Sequence, residues 1–132
     1  MASDLTSRVK DIITQHLHSV LDIETLVLLR SKPGALWSAR DLSVALYITE
    51  EAAEEHLAQL QATGLLEVAD AVSPAAQYRY APKDWRLAAA ADELALAYAQ
   101  RRVRVIEYLY SRPLRNVHSF ANAFRLRRPR KK

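Results

Sequence analysis

Leu57-Ala58-Gln59-Leu60-Gln61-Ala62-Thr63-Gly64-Leu65-Leu66 decides the fold. Leu57 and Leu60 lie one helical turn apart and point to one side of a helix. Gly64 has no Cβ and supplies the left-handed stop that ends such a helix. Leu65 and Leu66 then open an apolar strand, Leu65-Leu66-Glu67-Val68. Helix, glycine stop and strand in ten residues are the hinge from which the rest of the chain is read.

Upstream, Thr49 precedes Glu50 and Glu51 and caps the same helix, whose inner stripe is Ala53, Leu57 and Leu60. Acid in the first turn suits the positive end of the helix dipole. Before it, Ser38-Ala39-Arg40-Asp41 has the spacing of a capping box in its aspartate form. That box opens a short helix carrying Leu42, Ala45 and Leu46, and Leu36-Trp37 reads as a strand stub. Earlier still, Asp22 is expected to cap a helix through Ile23, Leu26, Val27 and Leu29, stopped by Ser31-Lys32-Pro33-Gly34. Leu5, Val9, Ile12, Ile13, Leu17 and Val20 recur at helical spacing and predict an amphipathic helix over 4–20.

Downstream, residues 70–76 read as a turn, and Gln77-Tyr78-Arg79-Tyr80 alternates as the returning strand of a hairpin. Residues 84–110 contain neither Gly nor Pro and predict one long helix, broken by Ser111-Arg112-Pro113. A last short helix is expected over 118–126, followed by a basic tail. The predicted class is mainly α with a small β-hairpin. Its units are an N-terminal helix (1–21), a central unit (22–81), a long helix (82–112), and a short helix with a basic tail (113–132).

In element order, residues 22–81 resemble a winged helix-turn-helix, similar to the MarR-like transcriptional regulators. The stretches that carry the likeness are Trp37 to Leu42, Ile48 to Glu50 and Leu57 to Leu66. The resemblance implies that the helix 50–62 would enter a DNA major groove with the hairpin beside it as a wing. This sequence departs from that pattern in charge. The helix bears Glu50, Glu51, Glu54 and Glu55 with no Lys or Arg, and residues 22–81 hold 4 basic against 9 acidic residues. Phosphate contacts supply most DNA affinity, so these carboxylates oppose it. Three readings stay open for this helix: a solvated face, a surface for a basic protein partner, and groove readout.

The net charge of +4 conceals a strong asymmetry. Residues 1–99 hold 8 Lys/Arg and 14 Asp/Glu, whereas residues 100–132 hold 11 Lys/Arg and 1 Asp/Glu. A basic quarter on an acidic body points to a polyanionic or acidic partner. The candidate nucleic-acid contacts are therefore Arg40, Arg79, Arg101, Arg102 and Arg104 with Arg125, Arg127, Arg128 and Arg130. The candidate partner-binding residues are Glu50, Glu51, Glu54 and Glu55. Phe120 and Phe124, four apart, are expected to pack on the body.

Leu87, Leu94, Tyr98, Val105 and Tyr108 line one face of the expected long helix, and Leu96, Val103, Ile106, Leu109 and Tyr110 a second. Two apolar faces on one helix exceed what a small core needs, so the first stripe is expected to join two copies as a homodimer. The alternative is burial of both faces within one chain against the 4–20 helix.

Enzymatic function is not expected. With 2 Gly there is no phosphate-cradling loop, and with no Cys there is no thiol chemistry, disulfide framework or cysteine-based zinc site. His16 and His18 are two apart and diverge on a helix, while His56 sits beside Glu55 with no further ligand in sequence. No cofactor or metal is implied. No apolar run approaches the roughly 20 residues of a membrane span, and the N-terminus has no signal-peptide pattern, so the expected setting is cytoplasmic. The primary expectation is a transcription-associated regulator that binds DNA through its basic C-terminal residues. The alternative is a protein-interaction module with an acidic motif helix that does not read DNA.

Overall fold

A computed structural model describes residues 5–70 and 76–111. The elements run α1 (Ser7–His16), α2 (Val20–Ser31), α3 (Ala39–Leu46), α4 (Glu50–Thr63), β1 (Leu66–Asp70), β2 (Gln77–Tyr80), α5 (Trp85–Gln100) and α6 (Arg102–Ser111). The chain is thus mainly helical with one antiparallel hairpin.

Local chemistry fixes most element ends. Ser38 Oγ accepts from Asp41 N and Asp41 Oδ2 accepts from Ser38 N, each at 3.1 Å, which completes the reciprocal box that opens α3. Thr49 Oγ1 accepts from Ala52 N at 3.0 Å and starts α4. Gly64 ends α4 at φ 93°, and its N–H donates to Gln61 O. An N-cap of the Ser38 or Thr49 kind contributes about 1 kcal/mol.

The hairpin pairs Leu66 with Tyr80, Glu67 with Arg79 and Val68 with Tyr78, and a bulge shifts the register before Asp70. Trp37 adds an isolated antiparallel bridge to β2, because Trp37 N donates to Tyr78 O and Tyr78 N to Trp37 O, both at 2.8 Å. The expected stub is therefore one residue of strand tied to the hairpin. Leu57 and Leu60 of α4, Leu65 and Leu66 of β1, and Ile23, Leu26 and Leu29 of α2 are buried in one core.

Three sequence expectations about element bounds are corrected. The first helix ends at His16 rather than 20, because Leu17 is extended (φ −118°, ψ 130°) and fully buried. The chain turns there, so that α1 and α2 diverge by 114°. The second helix begins at Val20, capped by Ser19 Oγ rather than by Asp22, so a boundary at residue 22 falls inside its first turn. The long helix is interrupted at Arg101 (φ −138°, ψ 53°), giving α5 and α6. Neither Gly nor Pro is present to cause the break. The redirected α6 instead buries Val105 and Leu109, and Tyr108 Oη meets Thr14 Oγ1 of α1 at 3.0 Å. No single helix among the described residues is long and apolar enough to cross a membrane.

Candidate functional site

The α3–α4 turn and the outer face of α4 form the most distinctive surface. α3 ends at Tyr47, the only non-glycine residue with positive φ among the described residues (φ 58°, ψ 47°). Such a conformation is strained for a side chain bearing a Cβ. Tyr47 is nonetheless 94% exposed, and Val44, one turn earlier, is also exposed. Ile48 N donates to Ser43 O at 3.1 Å and holds the turn closed. A large aromatic ring is thereby presented to solvent from a strained but hydrogen-bonded corner.

Next to it lie the four acids expected to meet a partner, and they are not equivalent. Glu51 and Glu55 are exposed. Glu50 is exposed and sits 3.9 Å from Arg40, a loose surface pair. Such pairs contribute little. Glu54 is engaged by the hairpin, since Tyr78 Oη donates to Glu54 Oε2 at 2.8 Å. Burial, reinforced by the Glu54 hydrogen bond and charge, pushes the Tyr78 phenol up to about 12. Glu54 therefore braces α4 against β2, and the acids left to face a partner are Glu50, Glu51 and Glu55.

The inner side of α4 carries a contact that sequence reasoning missed. Asp22 is 2% exposed; its Oδ1 lies 2.6 Å from His56 Nδ1, and its Oδ2 accepts from His18 N at 2.8 Å. One carboxylate thus ties the start of α2 to the middle of α4 and to the α1–α2 turn. The spacing Ser19-x-x-Asp22, like Ser38-x-x-Asp41, marks the Ser19 cap in sequence, but nothing in it pairs Asp22 with His56. His56 is turned inward and is no member of the outer acidic face.

The candidate cations among the described residues are mostly engaged in separate local pairs. Arg79 donates from Nε to Glu67 Oε2 at 2.9 Å across the hairpin, and its terminal nitrogen pairs with the same oxygen. Arg102 donates to Glu24 Oε2 at 2.7 Å and stacks 4.9 Å above the Tyr98 ring, while Tyr98 Oη donates to the same Glu24 oxygen at 2.8 Å. Burial first, then the Glu24 hydrogen bond, raises the Tyr98 phenol above its ordinary value. Arg104 pairs with Glu107 at 3.0 Å. Arg101 is exposed at the helix break. Arg125, Arg127, Arg128 and Arg130, with Phe120, Phe124 and the expected last helix, lie outside the described residues.

The expected dimer stripe is corrected. Leu94, Tyr98 and Val105 are buried inside this chain, and Leu87 and Tyr108 are half-buried against the same core. α1 lies across α5, where Glu93 accepts from both Thr6 and Arg8. The helix break turns the rest of the stripe inward, so it is core rather than contact surface. The large apolar residues of α5 and α6 left in solvent are Trp85, Leu96, Val103 and Tyr110.

No family model matches the chain, and searches of curated proteins and of solved structures find no match.

Proposed function

We propose that residues 22–81 form a winged helix-turn-helix, of the kind the MarR-like regulators use, serving as a protein-interaction module rather than a reader of DNA bases. The element order helix, strand rung, helix, helix, hairpin supports the first half of that reading. One observation carries the second half: the outer face of α4 presents Glu50, Glu51 and Glu55 with no Lys or Arg, beside an exposed Tyr47. Each of those carboxylates would approach a dense line of phosphates if α4 entered a groove. A protein surface with Lys or Arg around an apolar patch is complementary in sign, and an exposed aromatic anchor is what such contacts use.

A photo-crosslinking amino acid at position 47 tests this, with the same group at position 96 as control. The expected result is a discrete protein adduct from position 47 that disappears in Glu51→Lys/Glu55→Lys. Adducts independent of both charges would overturn the reading.

A second reading is favoured by the charge count alone. Residues 100–132 hold 11 basic residues and 1 acidic residue, enough to bind duplex DNA without reading sequence. Truncation after Ser111 should then abolish duplex binding measured at about 50 mM salt, where electrostatic binding is strong. Retention of binding by the truncated chain would refute it.

A further inference from the structure

Away from the α3–α4 face, α1 and the start of α5 enclose a cleft of about 390 Å³. That volume falls within the range typical of small-molecule sites. Its floor is apolar, with Ile12 and Ala90 almost fully buried. Its walls carry Arg8, His16, Lys83, Trp85 and Arg86, with Asp11 and Asp84 as the acids. From this combination we infer that the cleft binds a mononucleotide, its base stacked on Trp85 and its phosphate held by Lys83 and Arg86.

Trp85 is 68% exposed, and the Arg86 guanidinium lies 5.5 Å from its ring centroid. An indole in solvent at the mouth of an apolar-floored cleft is a stacking platform for a planar ring. Among the described residues neither Lys83 nor Arg86 pairs with a carboxylate, whereas Arg8 is held by Glu93 at 2.7 Å. Lys83 is also pre-positioned. Its stem lies against Gly64, where a Cβ would come within 2.5 Å of Lys83 Cδ, and its N–H donates to Gly64 O at 2.8 Å.

His16 is held below its ordinary value by burial first, then by the charges of Lys83 and His18. The Lys83 charge, the second of those causes, also attracts an anion. The acids sharpen the ligand class. Asp84 Oδ1 is occupied as the cap of α5, accepting from Leu87 N at 2.8 Å. Asp11, exposed on α1, is acceptor-only when ionised and so suits a ligand with hydroxyl or amino donors. A ribose or a base edge supplies them; a simple aromatic acid does not.

The two tryptophans provide the test. Trp37 is buried in the core and Trp85 lies in the cleft, so indole N–H signals in a nitrogen-15 NMR titration separate site from fold. The expected result for adenosine 5′-monophosphate is a saturable shift of the Trp85 signal with the Trp37 signal unmoved. Inorganic phosphate and adenosine, each lacking half of the recognition, should bind at least tenfold more weakly. Lys83→Gln/Arg86→Gln keeps both stems and should weaken the nucleotide at least tenfold, with an unmoved Trp37 signal reporting an intact fold. Adenosine binding as well as its phosphate, the double variant binding unchanged, or no shift at millimolar nucleotide would each overturn the proposal. None of these outcomes depends on the α3–α4 face.

Discussion

Replacing Tyr47 by glycine should stabilise the protein and at the same time remove its proposed partner contact. Tyr47 holds φ 58° and ψ 47°, a left-handed conformation that costs an L-residue roughly 1–2 kcal/mol. Glycine relieves that cost but loses about 0.5–1 kcal/mol through the freer unfolded chain. The ring is 94% exposed, so almost no burial is forfeited. The balance is a gain of about 0.5–1 kcal/mol, or a rise in Tm of about 2–4 °C for a chain of this size. Urea and thermal unfolding followed by circular dichroism measure it. Tyr47→Ala is the control: it removes the ring and keeps the Cβ in the strained region, so stability should move by less than about 0.5 kcal/mol. Both variants should weaken binding of the partner that the position-47 crosslink captures. A fall in Tm of 2 °C or more for Tyr47→Gly would refute the reasoning, because the corner would then be held by the side chain rather than strained by it.

Other substitutions probe the frame behind that face. Asp22→Ala removes a buried acceptor from His56 and from His18 N and should cost about 2–4 kcal/mol in urea unfolding, with Asp22→Asn costing clearly less. Gly64→Ala meets both a positive φ of 93° and the Lys83 stem, and should destabilise by about 1–2 kcal/mol; adding Lys83→Ala should recover only the steric part. His16 is kept below its ordinary 6.5, so the folded chain binds its proton less readily than the unfolded chain. Its contribution is therefore complete above pH 6.5 and declines as pH falls below that value, and urea midpoints should lose this component in His16→Gln. Tyr78 runs the opposite way: its phenol is raised from 10 to about 12, so its contribution is lost as pH rises across that interval, and Tyr78→Phe should flatten the alkaline limb.

What the sequence determined by itself was whatever depends on near neighbours. Ser38 and Asp41 close a box three residues apart, Thr49 caps α4, and Gly64 releases it into β1. These are contacts within one turn, and residue type alone specifies them. The acid of α4 was equally legible, because charge is counted and not folded. Tertiary structure decided everything that spans the chain. The helix break at Arg101 has no local cause in Gly or Pro and sends Val105 and Leu109 into the core. The stripe through Leu94 and Tyr98 was visible by period, but period does not say whether its partner is α1 or a second copy. Asp22 with His56 and Glu54 with Tyr78 are 34 and 24 residues apart, so no spacing rule pairs them. The stretch from Leu57 to Leu66 set the hinge of the fold, and long-range packing then chose which of its acids braces the frame and which face solvent.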